Sequence, residues 1–168
     1  MLLPHLFTLA LLRRYIFCGT FPRVAPARYY LALYLYRVRT FLFNLIKKYK
    51  INSKSILGHS DIAPDRKLDP GEKFPWAFLS KNKIGIWHDL IQNKIKKERG
   101  LNISNPLKLK FINNLFKIGY PRSSKINKNK YNKIITFAFQ RRFRQELVNG
   151  KIDKECLLIS ENLIKKLN

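Results

Sequence analysis

His59-Ser-Asp-Ile-Ala-Pro-Asp-Arg-Lys67-Leu-Asp69 is the stretch of sequence that says most about fold and chemistry. It places an imidazole, an amine and a carboxylate in one turn-rich segment. Histidine and aspartate are suitable ligands for a catalytic zinc, which usually takes three protein ligands and keeps a fourth position for water. Lys67 is close enough in sequence to Asp69 to stabilise the oxyanion that forms when such a water attacks a carbonyl. The same spacing is also compatible with a polar loop that holds one solvated histidine.

The sequence around this stretch resembles one enzyme family. The segments that carry the resemblance are Ile56-Leu-Gly-His-Ser-Asp-Ile-Ala-Pro64, Arg66-Lys-Leu-Asp-Pro-Gly71 and Phe74-Pro-Trp76. Together they resemble the type 2 N-acetylmuramoyl-L-alanine amidases, zinc enzymes that cut the amide between the lactyl group of muramic acid and the first alanine of the stem peptide. The resemblance runs from about Tyr49 to Trp87. It implies a Zn²⁺ cofactor, peptidoglycan or muropeptides as partners, and a periplasmic or secreted protein of the cell envelope.

The resemblance also assigns roles by position. It implies that His59 is the second zinc histidine, Lys67 the catalytic lysine and Asp69 the zinc aspartate. In the family, a first zinc histidine and a catalytic glutamate precede this segment. Here only 58 residues precede His59, none of them is acidic, and the one earlier histidine, His5, lacks the family's strand pattern. We therefore expect a truncated site with weak zinc binding and little or no turnover.

Composition changes sharply near residue 40. Residues 1–40 contain six arginines, no lysine and no asparagine, whereas residues 41–168 contain twenty-two lysines, six arginines and fourteen asparagines. Lysine and asparagine have AT-rich codons, so the two parts differ in coding bias. We interpret residues 1–40 as an atypical, poorly ordered segment that comes from another reading frame or from rearranged DNA.

Two alternatives for the front segment are a signal peptide and a segment that lies on an anionic membrane surface. Residues 1–12 are apolar, but the basic pair Arg13-Arg14 follows this run instead of preceding it. No convincing signal peptide is therefore present, and a cytoplasmic location stays open. The run from Tyr29 to Phe43 is interrupted by two arginines and falls short of the ~20 apolar residues that span a bilayer.

The formal net charge of +24 raises the question of a nucleic-acid partner, because clustered basic side chains neutralise phosphates. The lysines are scattered, however, and accompany no zinc-finger, RRM or helix-turn-helix signature. We expect no nucleic-acid partner and keep a basic nucleic-acid or membrane-surface binder as a third hypothesis. Cys18 and Cys156 lie in unlike segments and indicate neither a disulfide framework nor a metal cluster.

Local patterns in the amidase-like part, residues 41–99, predict four elements. They are a helix that ends near residue 50, a buried strand at Ser55-Ile-Leu-Gly58, a stiff irregular loop over 60–76 and an amphipathic helix over 86–98. His88 in the last element is interpreted as a surface residue. Trp76 is a candidate for stacking on a sugar, and the alternative is that it packs beneath the loop.

A second module is predicted over residues 104–168. Apolar residues at helical spacing predict helices at Pro106–Ile118, at Tyr131–Arg144 and after Asp153, which is expected to cap the last one. The alternative is a plain helical bundle that packs on the amidase half.

This module is similar to the three-helix peptidoglycan-binding domain at the C-terminus of some amidases. The segments that carry the similarity are Ile118-Gly-Tyr120, Ala138-Phe-Gln-Arg-Arg-Phe-Arg144 and Gly150-Lys-Ile-Asp153. A cleft lined by Tyr120, Gln140 and Arg144 is the predicted contact with a glycan-peptide strand.

The predicted fold class is therefore an α/β remnant of the type 2 amidase fold, a mixed sheet with helices whose N-terminal half is missing, followed by a small all-α three-helix module. The predicted function is that of a zinc amidase of peptidoglycan, impaired by truncation. A peptidoglycan-binding remnant without catalysis is the alternative.

Overall fold

The computed structural model describes residues 27–168, and helices supply its regular structure. Within these residues lie two short 3-10 turns, at Ser53–Ser55 and Lys96–Glu98. The α-helices are α1 (Ala27–Tyr49), α2 (His59–Ile62), α3 (Trp76–Lys81), α4 (Gln92–Ile95), α5 (Asn105–Ile118), α6 (Lys128–Phe143) and α7 (Lys154–Leu167).

The predicted mixed α/β sheet is wrong for the part of the chain that the structure describes, because no residue from 27 to 168 lies in a strand. The expected strand at 55–58 begins inside a turn, where the Ser55 N–H donates to the Asn52 carbonyl (2.9 Å) and the Ile56 N–H to the Ser53 carbonyl (3.3 Å). A strand needs a neighbouring strand to pair its N–H and C=O groups. Residues 27–49 just before this turn are helical and offer no such partner.

Helix α1 takes in residues 27–40 of the segment that the sequence predicts to be poorly ordered. Residues 1–26, with His5 and Cys18, lie outside the described residues. Two lysines in the last turn complement the negative end of the helix dipole. Lys50 then adopts a left-handed conformation (φ 50°), and the Ile51 N–H donates to the Ile46 carbonyl at 3.1 Å. The predicted helix end near residue 50 is confirmed.

The chain divides into two compact units, residues 1–58 with 75–86, and residues 59–74 with 87–168. In the described part of the first unit, Val38 and Leu42 of α1 are buried, as are Trp76 and Leu79 of α3. The Ser53 hydroxyl donates to the Gly85 carbonyl at 3.2 Å and ties the turn after α1 to the segment after α3.

The second unit is built on α5, α6 and α7, and α5 packs along both other helices. Phe111 meets Phe139 edge to face with ring centroids 5.1 Å apart, and Phe139 lies 5.3 Å from Phe143. Asp153 caps α7 by accepting the Cys156 N–H at 3.0 Å. The three helices predicted for residues 104–168 and the capping role of Asp153 are thus confirmed.

Residues 86–98 depart from the predicted helix, since only α4 and the turn at 96–98 are helical there. His88, predicted at the surface, is buried with 5% of its area exposed. Its ring stacks on Trp87 at 5.1 Å, and Trp87 lies 5.8 Å from Phe143 of α6. The prediction was wrong because α6, which is distant in sequence, supplies the aromatic packing that buries this segment.

The two compact units group loop 59–74 with the helical segment, whereas the sequence predicts domains at 41–99 and 104–168. The compact units are defined by contacts within the structure, whereas the predicted domains rest on resemblance to other proteins. The predicted domain boundaries therefore stay a prediction. No helix within residues 27–168 is both long enough and apolar enough to cross a bilayer.

Candidate active site

Loop 59–74 is closed on itself by backbone hydrogen bonds. The Ala63 N–H donates to the His59 carbonyl (2.8 Å), and the Lys67 N–H donates to the Ala63 carbonyl (2.9 Å). The Ser60 N–H donates to the Asp69 carbonyl at 2.9 Å. This last bond places the start of the loop, at Ser60, beside Asp69.

His59 and Asp69 form the centre of this loop. His59 Nδ1 and Asp69 Oδ2 are 2.5 Å apart, and 18% of the His59 side chain and 56% of the Asp69 side chain are exposed. Partial burial acts to raise the pKa of Asp69, but the hydrogen bond with His59 and the charges of His59 and Lys67 outweigh it and hold the pKa below its usual value. Asp69 is therefore ionised at neutral pH, as a carboxylate ligand of a metal must be.

Lys67 lies on the same loop with its side chain exposed. Its positive charge acts on Asp69. The structure thus brings together the three residues that the sequence singles out, and their catalytic and metal-binding roles stay predictions.

The side chains of His59 and Asp69 are of types that bind zinc, because imidazole nitrogen and carboxylate oxygen are both zinc ligands. The two atoms face each other at a partly exposed position, where a metal can reach them. Within residues 27–168, no group of three or more His, Cys, Asp and Glu side chains is placed to hold a metal ion. The described part of the chain therefore offers two side chains of the kind that bind zinc, whereas a catalytic zinc usually takes three protein ligands.

The four residues predicted to contact substrate are all buried. The exposed fraction is 1% for Trp76, 5% for Tyr120, 0% for Gln140 and 2% for Arg144. The structure does not bring these side chains to a surface cleft.

Gln140 and Arg144 hold the turn that leads into α7. Gln140 Oε1 accepts from the Asn149 and Gly150 N–H groups at 2.9 and 2.8 Å. Arg144 is ion-paired with Asp153 and donates to Asn149 Oδ1 at 3.0 Å. Gly150 needs its left-handed conformation (φ 68°), and a Cβ there would lie 2.5 Å from the Phe137 ring. These polar side chains therefore stabilise a tight turn.

Asp61 and Arg142 are central to the site's surroundings, and the sequence analysis assigned a role to neither. Asp61 Oδ1 accepts from the Tyr120 hydroxyl at 2.9 Å, and Asp61 Oδ2 is ion-paired with Arg142. The position of Asp61 inside the quoted stretch was a usable signal. Nothing in the sequence singles out Arg142 from its neighbours Arg141 and Arg144.

Comparison with known proteins identifies relatives of this chain, although no family model matches it. The N-acetylmuramoyl-L-alanine amidase AmiD of Escherichia coli K12 is 34% identical over 124 residues, which make up 73% of this chain and 44% of AmiD. The 1,6-anhydro-N-acetylmuramyl-L-alanine amidase AmpD of Enterobacter cloacae is 54% identical over 33 residues, 20% of this chain and 18% of AmpD.

Solved structures agree with these sequence matches. E. coli AmiD, in complex with the substrate anhydro-N-acetylmuramic acid-L-Ala-D-γ-Glu-L-Lys, superposes with a TM-score of 0.66 at 28% identity and covers 79% of this chain and 51% of that chain. AmpDh3 of Pseudomonas aeruginosa superposes with a TM-score of 0.65 at 28% identity and covers 88% of this chain and 56% of its own.

The chain is therefore homologous to the N-acetylmuramoyl-L-alanine amidases AmiD and AmpD, and the predicted resemblance to this family is confirmed. It is similar to AmiD over most of its length, and it spans about half of AmiD.

Proposed function

We propose that this protein is a zinc-dependent peptidoglycan amidase, which hydrolyses the amide between N-acetylmuramic acid and L-alanine at a reduced rate. The observation that carries the proposal is the contact of His59 with Asp69 at 2.5 Å, on the loop that also presents Lys67. Homology to AmiD supports it, and so does the similarity to AmiD in complex with an anhydro-muramyl tripeptide substrate.

In this proposal His59 and Asp69 hold the metal and Lys67 acts on the substrate. Zinc, when bound, would lower the pKa of a bound water, so that this water could act as a nucleophile toward a carbonyl at neutral pH. The Lys67 ammonium donates to the lactyl carbonyl oxygen as negative charge develops there. The carbon–nitrogen bond would then break with the alanine nitrogen as the leaving group. The water oxygen stays on the lactyl carbon, which becomes a carboxylate, and the alanine nitrogen takes up the two protons of the water to become an ammonium. We expect slow turnover because only two donors come together within residues 27–168.

A muropeptide digest tests the proposal. Purified protein is incubated with anhydro-N-acetylmuramoyl-L-Ala-D-γ-Glu-L-Lys in zinc or in chelator, and the products are read by mass spectrometry. We expect free tripeptide in zinc only, at a rate more than ~100-fold below that of AmiD, because losing even a group that only supports a metal ligand costs ~10–100-fold.

Two histidine variants make the digest specific. His59→Ala should abolish release, whereas His88→Phe, which changes the other described histidine, should retain it. Release that persists in chelator or in His59→Ala contradicts the proposal. No release, while AmiD cleaves alongside, overturns the hydrolase and favours the alternative below.

The alternative is a peptidoglycan-binding protein without catalysis, and a groove in the second unit favours it. The groove has a volume of about 660 Å³ and lies between α5, α6 and the turn before α7. Lys108, Lys133 and Lys151 line it together with four asparagines, and no acidic residue does. Cationic and amide side chains suit a ligand that carries carboxylates and amides, as a stem peptide does.

Sedimentation with purified sacculi tests this alternative. Changing Lys108 and Lys133 together to Gln should weaken binding if the groove is the site. Changing Lys94 and Lys97 together to Gln, which removes equal charge outside the groove, should not. Equal losses in both double variants would indicate attraction by net charge alone.

We also propose the cell envelope as the place of action, because peptidoglycan lies there. A cytoplasmic location is the competing possibility. Fractionation of cells that express the full chain distinguishes the two locations.

A further inference from the structure

A buried polar cluster lies directly beneath the candidate active-site loop. It consists of Asp61, Tyr120 and Arg142, of which 7%, 5% and 2% are exposed. The two carboxylate oxygens of Asp61 have different partners, since Oδ1 accepts from the Tyr120 hydroxyl at 2.9 Å and Oδ2 is ion-paired with Arg142. The cluster therefore joins helix α2 to Tyr120, two residues beyond the end of α5, and to the last turn of α6.

The far end of the same loop is fixed to the same helix. The Gln145 side-chain amide, just beyond α6, donates to the Phe74 carbonyl at 2.7 Å. Loop 59–74 is thus held near its start by Arg142 and at its end by Gln145. Within the loop, backbone hydrogen bonds, among them the Ser60 N–H to the Asp69 carbonyl, connect the segment between these two anchors to the His59–Asp69 pair.

A buried carboxylate that is bound by a charged donor and a neutral donor is held in a single position, because moving away from either partner leaves its buried charge uncompensated. Asp61 lies two residues from His59 in the same short helix α2, so the partners of Asp61 help to fix the backbone that carries the imidazole. Burial and the nearby Asp61 charge raise the pKa of Tyr120 well above its usual value, so its hydroxyl remains a donor at every physiological pH. Ligand geometry must be held to within ~0.5 Å for a metal site to work.

We propose that Asp61, Tyr120 and Arg142 are positioning residues that hold His59 against Asp69, so that the helical segment is a structural part of the metal site. This proposal rests on the proposed zinc site for its role in catalysis. It assigns the end of α6 to support of the hydrolytic loop, rather than to contact with peptidoglycan.

Full-length variants test the proposal. Arg142→Met removes the charge, Arg142→Lys keeps it, and Tyr120→Phe removes only the hydroxyl. Glu155→Gln is the matched control, because Glu155 is a fully buried carboxylate of the same unit whose ion-pair partners, Arg99 at 2.7 Å and Arg144 at 3.6 Å, lie outside loop 59–74. Circular dichroism shows which variants are folded.

The first measurement is zinc affinity by competition with a chromophoric chelator. We expect Arg142→Met and Tyr120→Phe to lose ~10–100-fold in affinity, Arg142→Lys to recover part of the loss, and Glu155→Gln to match the wild type. Equal losses in Tyr120→Phe and Glu155→Gln would overturn the proposal, because they would reflect general destabilisation.

The second measurement separates this proposal from the proposed function. In metal-free protein, the hydrogen-bonded imidazole N–H of His59 should give a downfield proton resonance by NMR. We expect it in the wild type and in Glu155→Gln, and its loss in Arg142→Met and Tyr120→Phe. If the wild type binds no zinc, the proposed function fails, yet the NMR comparison still decides the positioning role. If the resonance persists in Tyr120→Phe, the positioning role is wrong.

Discussion

Two polar regions of the second unit differ in where their side chains lie. In loop 59–74, Lys67 and Asp69 are exposed and His59 is partly so. Around the turn at 149–153, Gln140 and Arg144 are buried and hydrogen bonded to that turn. The sequence proposes both groups as functional residues, and the structure gives only the first group access to a ligand.

The comparison shows that a polar residue can stabilise the backbone when it is buried or be available for chemistry when it is exposed. A buried polar group is costly without a partner, so such groups are paired and stabilise one backbone arrangement. An exposed polar group gains little from its neighbours and is available for chemistry. The account therefore predicts that changes in the turn region affect stability and changes in the loop affect activity.

The largest effect is expected for Arg144→Met. This variant leaves buried Asp153 without the guanidinium of Arg144, and it removes the same guanidinium from its position 3.6 Å from buried Glu155. The free energy of unfolding should therefore fall by ~3–5 kcal/mol. Arg66→Met, which changes an exposed arginine of the loop, should stay within ~0.5 kcal/mol of the wild type. Urea unfolding measures both, and similar losses in the two variants would contradict the comparison.

Lys67→Met should reduce the rate of muropeptide cleavage by ~10²–10³-fold, because it removes the donor to the developing oxyanion. Its free energy of unfolding should change by no more than ~0.5 kcal/mol, since the side chain is exposed. Lys73→Met, an exposed lysine of the same loop, is the matched control and should keep wild-type activity. Equal rates for the two variants would remove Lys67 from the mechanism.

Gln140→Leu should destabilise the protein by ~1–3 kcal/mol, because the Asn149 and Gly150 N–H groups lose their acceptor. Binding to sacculi should be unaffected in the folded variant. Thermal unfolding and sedimentation provide the two values. A loss of binding without a loss of stability would restore Gln140 as a contact with substrate.

The smallest effect concerns pH and His88. Burial lowers the pKa of His88 in the folded state, against the opposing effects of the nearby Phe143 backbone and of the charges of Asp89 and Glu155. Below pH ~6.5, His88 binds a proton more readily in the unfolded chain than in the folded one. The folded state is therefore most stable above that pH. Its free energy of unfolding falls as pH decreases, by less than ~1.4 kcal/mol per pH unit.

His88→Phe should remove this contribution and keep the stacking on Trp87. Unfolding free energies at pH 7.5 and 5.5 should therefore differ less in the variant than in the wild type. Identical pH dependence in the two proteins would show that His88 is not the group responsible.

The sequence predicts the helical segment well because its signals are local. The spacing of Phe111, Leu115, Ile135 and Phe143 indicates buried helix faces, and Asp153 stands where an N-cap is expected. The residues of the candidate site were also found locally, since His59, Lys67 and Asp69 lie within one short stretch.

The remaining features depend on contacts between distant residues. The expected strand at 55–58 has no partner within the described residues, which apolar composition alone does not reveal. The burial of His88 depends on aromatic packing with Phe143 through Trp87, and the ion pair of Asp61 with Arg142 joins positions 81 residues apart. No periodicity in a single sequence encodes such pairings.

Zinc binding tests the central claim most directly, namely that the exposed pair on loop 59–74 forms the metal site. Metal-free wild type, His59→Gln, Asp69→Asn and His88→Phe are titrated with zinc against a chromophoric chelator. The account predicts one zinc site in the wild type and in His88→Phe, and its loss in the two loop variants. Wild-type affinity in His59→Gln, or loss of the site in His88→Phe alone, would contradict it.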